Sequence, residues 1–136
     1  MVLFNRFYQV DIDIEKVRLK PGYRFSSTEE MSLPLRWIAL LADTLACDLS
    51  GTTGIHDAAG AIKMLLAGAS TVQVCSALYQ EGLPVLQNML DDMEAWMEKH
   101  GFETVEDFRG RLSFDRGEDS ELWERLQYIK AMVGVE

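Results

Sequence analysis

Positive charge is scarce in this chain. Its 13 Lys and Arg stand against 22 Asp and Glu, a formal net charge of −9 over 136 residues. Attraction to a nucleic-acid backbone or to an anionic membrane surface is carried by Lys and Arg, so neither is expected as a partner. No apolar run approaches the ~20 residues that span a bilayer, and Met1 is not followed by the basic-then-apolar pattern of a secretory signal. Together these absences predict a soluble, cytoplasmic protein. Two cysteines, Cys47 and Cys75, make no disulfide framework. Both fall in apolar stretches that read as strands, and both are expected to stay reduced.

What the chain does contain is a repeated scheme of buried strand, small-residue turn and helix start. In the first copy residues 45–49 read as the strand, Ser50-Gly51-Thr52-Thr53-Gly54-Ile55-His56 as the turn, and Asp57 as the N-cap of a helix through Leu66, closed by Gly68. In the second, residues 71–75 are the strand and, after a turn at Ser76, a helix runs from about Pro84 to Lys99, closed by Gly101. Strands joined in this way form parallel sheets. Their turns gather glycine-permitted backbone N–H groups and two helix N-termini at one end of the sheet, where a phosphate is best held. In a (β/α)8 barrel the last two such loops are the usual phosphate clamp. A phosphorylated cofactor or substrate is the leading expectation, with a plain strand-to-helix turn as the alternative at Gly54 and Ser76.

Residues 11–25 alternate apolar and polar side chains (Ile12, Ile14, Val17, Leu19) around Pro21-Gly22, which predicts a β-hairpin excursion. Ser27 with Glu30 offers a capping box, and residues 33–41 are apolar enough for a buried helix with Pro34 in its first turn. Val85, Leu86, Met89, Leu90, Met93, Trp96 and Met97 recur at helical spacing and predict a face that packs on a sheet. A short acidic helix is expected after Gly101, then a polar break at 115–119, then a C-terminal helix with Leu122, Leu126, Ile129 and Val133 on one stripe.

Some of these residues invite sharper roles. His56 follows a turn and could touch a phosphate, although a histidine beside an N-cap is more often solvated; no metal site is expected there. His100 precedes Gly101 in the last helical turn, where an imidazolium suits the helix C-terminus. Cys75 has nothing basic within a few residues and is not read as a nucleophile. The Met and Trp stripe reads as core before it reads as a ligand site, and Asp91, Asp92, Glu94 and Glu98 as a solvated face.

Three segments resemble the C-terminal part of a class 1 dihydroorotate dehydrogenase. They are Thr52-Thr53-Gly54-Ile55, then Leu66-Ala67-Gly68-Ala69 leading into Val72-Gln73-Val74-Cys75-Ser76-Ala77-Leu78, and residues 101–112. The opening Leu3-Phe4-Asn5-Arg6-Phe7-Tyr8-Gln9 and the closing Glu124-Arg125-Leu126-Gln127-Tyr128-Ile129-Lys130 look more like a less characterised branch, the dihydroorotate dehydrogenase-like proteins. The resemblance implies a flavin mononucleotide (FMN) oxidoreductase of pyrimidine biosynthesis on a TIM (β/α)8 barrel, with the flavin phosphate held by loops seven and eight. Thr53-Gly54-Ile55 lies where the family usually has Gly-Gly-Ile, and Cys75-Ser76-Ala77 where it often has Gly-Thr-Ala. A position there that requires φ > 0 would be strained by Thr or Cys. By the same matching, Thr53, Gly54, Cys75 and Ser76 would give backbone N–H groups to the FMN phosphate, Ser76 would add its hydroxyl, and Asn5 would orient the planar substrate.

A complete barrel needs roughly 200 to 250 residues, so this chain is expected to cover only part of one. Residues 3–8, 45–49 and 71–75 would be strands six, seven and eight; residues 1–112 would be the barrel portion and 113–136 an appended helical segment. The family's catalytic base and flavin-contacting lysines would then precede Met1. The resemblance therefore implies a portion of a dihydroorotate-to-orotate enzyme that carries the flavin-phosphate loops and is inactive alone. Its open strand edges would be covered by another copy, as a homo-oligomer, or by the N-terminal half. A non-redox module for a phosphate-bearing ligand and a self-associating structural fragment stand as the alternatives.

Overall fold

The computed structural model describes residues 1–4, 10–22 and 24–114. Along the chain come β1 (Val2–Leu3), β2 (Val10–Asp13), β3 (Arg18–Pro21), a 3₁₀ turn (Thr28–Met31), α1 (Ser32–Leu41), β4 (Ser50–Gly51), α2 (Ala58–Leu66), β5 (Thr71–Val72), α3 (Ser76–Glu81), α4 (Pro84–His100) and a second 3₁₀ turn (Val105–Asp107). Strands β1, β4 and β5 form one sheet in that order, and both pairings are parallel. Backbone bonds extend the pairing past the strand ends: Thr52 N donates to Leu3 O at 3.1 Å, Gln73 N to Gly51 O at 2.8 Å and Ser70 N to Leu49 O at 2.7 Å. The architecture is α/β on a parallel sheet.

Several helix ends fall where the sequence chemistry provides for them. Ser27 and Glu30 form the capping box ahead of α1, and Pro34 sits buried in the first turn of that helix. Asp57 caps α2 by accepting from Gly60 N at 2.7 Å. Helix α4 ends at Gly101, whose φ of 72° is left-handed. Gly51 occupies the middle of the sheet because a Cβ there would lie 3.0 Å from the Met64 side chain and 3.2 Å from Ile38 Cδ1. Its missing side chain lets α1 and α2 press Ile38 and Met64 onto the strand, and both are fully buried.

The segment after α4 closes the layer. Gly110 N donates to Leu65 O, Leu112 N to Leu66 O and Phe114 N to Ala39 O, each at 2.9 Å, so the tail adds donors to carbonyls in the last turns of α2 and α1. Phe108 is wholly buried, with ring centroids of Trp96 and Phe102 at 5.1 and 5.5 Å. The β2–β3 hairpin is antiparallel, with Ile12 opposite Leu19, and it holds its apolar side chains in solvent. Among the described residues no helix is long and apolar enough to cross a membrane.

Three local expectations need correction. The strand expected at 45–49 lies later, at Ser50–Gly51. Thr44 N and Leu45 N still donate to Leu41 O, at 3.1 and 3.0 Å, because the chain must reverse after α1 before it can enter the sheet; the first bonds to the segment leading into β1 are from Met1 N to Asp48 O and from Ser50 N to Met1 O, the latter at 2.8 Å. Cys47 and Cys75 accordingly sit outside the strands, and both are exposed. The strand expected at 71–75 is shorter, and the turn that was to lead directly into Pro84 contains α3, a separate six-residue helix. The C-terminal helix expected beyond residue 119, and Asn5, lie outside the described residues.

Candidate functional site

Parallel pairing places the turns that follow β4 and β5 at the same end of the sheet. In the first turn, Thr53 (φ 75°) and Gly54 (φ 78°) take left-handed backbone in succession. Gly54 has no alternative, since a Cβ there would lie 2.7 Å from Met31 N. Thr53 does carry a side chain in this region, a conformation that costs an L-residue roughly 1–2 kcal/mol. Its Oγ1 donates to Phe4 O at 3.0 Å and ties the turn to the end of β1. A bond of that kind contributes about 0.5–1.5 kcal/mol net and offsets much of the strain. The glycine that the resemblance expects at Thr53 is thus replaced at a position where glycine would be easier. At Cys75 φ is −129°, so the second departure carries no such strain.

Among the described residues no acceptor faces the backbone N–H of Thr53, Gly54, Cys75 or Ser76. Buried backbone donors without a partner are uncommon in folded chains, and of these four residues Gly54 is buried while Cys75 is exposed. The four fall in two adjacent turns at one end of a parallel sheet, and Ser76 adds a hydroxyl at the first residue of α3. This donor set fits the oxygens of a phosphate group and, by extension, of FMN.

The two turns are joined side to side. Ser76 Oγ accepts from Ser26 N at 3.0 Å and lies 2.9 Å from Ser26 Oγ, which in turn lies 3.2 Å from His56 Nε2. Ser26, on the strap that returns from the hairpin to α1, is only 9% exposed. The structure therefore brings Thr53, Gly54 and His56 of one turn beside Cys75 and Ser76 of the next. Sequence reasoning had no means to find Ser26: its partner is fifty residues away, and the one local signal, the capping box, points to its neighbour Ser27.

The other singled-out residues take structural positions. His100 closes α4 with its ring 4.7 Å from that of Trp96. Val85 and Met89 are buried as core, whereas Leu86 and Leu90 of the same stripe are exposed. Asp91 is exposed and accepts from Gln87 Nε2 at 2.7 Å. Cys75 is exposed, with no bonded base. Two grooves lie away from the turns. One, of about 360 Å³, sits before β4 and β5 among residues such as Cys47, Asp48 and Ser70, and one of about 450 Å³ lies between α2 and α4, lined by Ile62, Lys63 and Trp96 among others.

A solved structure shares this fold. The chain resembles part of a dihydroorotate dehydrogenase from Eimeria tenella, solved in complex with ferulenol, with a TM-score of 0.64 at 19% identity over 80% of this chain and 29% of that one. This likeness places the fold with a portion of a TIM-barrel enzyme.

No protein-family model matches the chain. Over 64 residues it is 38% identical to the probable dihydroorotate dehydrogenase A (fumarate) of Streptococcus pneumoniae, 36% to the putative enzyme of the same name from Streptococcus pyogenes and 34% to that of Streptococcus equi. The matched stretch is 47% of this chain and 21% of each relative. Over that stretch the chain is homologous to class 1 dihydroorotate dehydrogenases, and it spans about a fifth of the length of these curated relatives.

Proposed function

We propose that this chain supplies the flavin-phosphate end of a cytoplasmic oxidoreductase of the dihydroorotate dehydrogenase kind, with β1, β4 and β5 as barrel strands six, seven and eight. One observation carries the reading: two adjacent turns at one end of a parallel sheet hold backbone donors at Thr53, Gly54, Cys75 and Ser76 that no described residue pairs, in a chain related to those enzymes over 64 residues. In this reading the four N–H groups and the Ser76 hydroxyl hold the FMN phosphate, and Asn5 orients the dihydroorotate-like substrate by its amide. Bound there, FMN supplies the hydride acceptor that converts dihydroorotate to orotate. The turn residues bind and position; they do not move the substrate proton. The base and the flavin-contacting lysines belong to the rest of a complete barrel, so the 136-residue chain is inactive alone. Among the described residues nothing pairs with the outer edges of β1 and β5, and these edges with the exposed apolar hairpin favour association, with another copy or with the remaining barrel.

Titration of FMN into ¹⁵N-labelled protein tests the site. The amide signals of Thr53, Gly54, Cys75 and Ser76 should shift together. Shifts confined to other residues would discard the assignment. Dihydroorotate oxidation with added FMN tests the second half of the reading, since turnover by the purified chain would show that its catalytic groups are present after all.

A further inference from the structure

We infer that His56 and Ser26 are positioning residues of the phosphate site, forming a proton-ordered chain from His56 Nε2 through Ser26 Oγ to Ser76 Oγ that turns the Ser76 hydroxyl outward as a donor to a phosphate-monoester oxygen. The inference rests on the proposed phosphate reading and assigns what orients its one side-chain donor.

Proton counting leaves two orders for the chain, and the phosphate reading selects one of them. A serine hydroxyl has one proton and two lone pairs. Ser76 Oγ accepts from Ser26 N–H, a donor whose direction the backbone fixes, while its 2.9 Å bond with the Ser26 hydroxyl can run either way; in the inferred order the Ser26 hydroxyl donates. Both lone pairs are then occupied, and what Ser76 has left is its proton, for which the described residues hold no acceptor. Ser26 has given its own proton to Ser76, so toward His56 Nε2 it can only accept. That requires the proton of His56 to sit on Nε2. The near-complete burial of Ser26 keeps water from competing for the middle link. Each link accepts on one side and donates on the other, an arrangement in which hydrogen bonds strengthen one another. If the chain ran the other way, Ser76 would present a lone pair and repel an anion.

The His56 tautomer is read directly from long-range ¹H–¹⁵N correlations on ¹⁵N-histidine-labelled protein, assigned against His56→Gln. The Nε2–H form is expected in neutral imidazole, and the Nδ1–H form would overturn the chain. Titration with inorganic phosphate, followed at the Thr53 and Gly54 amides, supplies the second measurement. Ser76→Ala should weaken phosphate binding by about tenfold, as expected for loss of one charge-assisted bond, and His56→Phe should weaken it several-fold. Ser76→Thr and His56→Gln, which keep a donor in place, should restore most of the affinity, which a purely structural role would not predict. Unchanged affinity in Ser76→Ala, with phosphate still shifting Thr53 and Gly54, would overturn this inference alone. No phosphate-dependent shift at either turn would overturn the site reading beneath it.

Discussion

The chain treats its apolar residues in two ways. In the units built from β4–α2 and β5–α3–α4, strand and helix arrive together; their Met64 and Ala77 are withdrawn from solvent, as are Ile38 of α1 and Phe108 after α4. In the β2–β3 hairpin, Ile14 is 78% and Val17 88% exposed. Both regions pair their strands, one through the parallel sheet and one through four cross-strand residue pairs. Pairing and burial are therefore separate achievements. A βα unit brings its own cover, because each helix folds back over the strand it follows. A two-stranded ribbon has no second layer and must find one elsewhere.

The contrast can be broken by mutation. Phe108→Ala should cost about 3–5 kcal/mol, the usual toll of emptying an aromatic core site, whereas Val17→Asn should stay within about 0.5 kcal/mol and suits the φ of 46° at that residue. Urea unfolding of both variants checks this, and comparable losses would show that the hairpin is covered in solution.

At the turn that carries the candidate site, Gly54→Ala should destabilise by about 1–3 kcal/mol through backbone strain and contact with Met31 N. Thr53→Gly removes strain and the bond to Phe4 O together, so it should lie within about 0.5 kcal/mol of the parent, while Thr53→Ala keeps the strain, loses the bond and should cost about 0.5–1.5 kcal/mol. Thermal denaturation that ranked the alanine variant above the glycine one would sink the strain argument.

The hairpin's exposed face bears on assembly more than on folding. Light scattering at micromolar concentration should show self-association of the parent, weakened in the double variant Ile14→Lys with Val17→Asn. A parent that stays a compact, cooperatively unfolding monomer would mean that neither the strand edges nor the hairpin serves as an interface.

The smallest effect concerns acid. Bonds from the Thr104 backbone N–H at 2.7 Å and the Thr104 hydroxyl, with Glu103 N at 3.0 Å and the Arg111 charge adding to them, hold the Asp107 carboxyl below its ordinary value of 3.8. A carboxyl whose folded pKa is depressed stabilises the fold above its unfolded value and loses that contribution as pH falls through the folded one. The parent should therefore lose slightly more stability than Asp107→Asn as pH drops below 3.8, read from urea midpoints across that range. Identical acid profiles would remove the cap from the account.

Much of this protein is written in local chemistry. The capping box at Ser27 and Glu30, the Asp57 cap, the Gly101 stop and the alternation of the hairpin are each decided by residues within a turn of one another, and all stand in the structure as the sequence implies. The left-handed strain at Thr53 was legible too, from a side chain in a motif that usually carries glycine. What only the tertiary structure decided is where segments distant along the chain meet. The reversal after α1 moved β4 past residues 45–49, the second turn folded into α3 on its way to Pro84, and the strap returning from the hairpin set Ser26 between His56 and Ser76. Those outcomes depend on contacts across fifty residues, whose geometry the packed helices fix and which no spacing along the chain encodes.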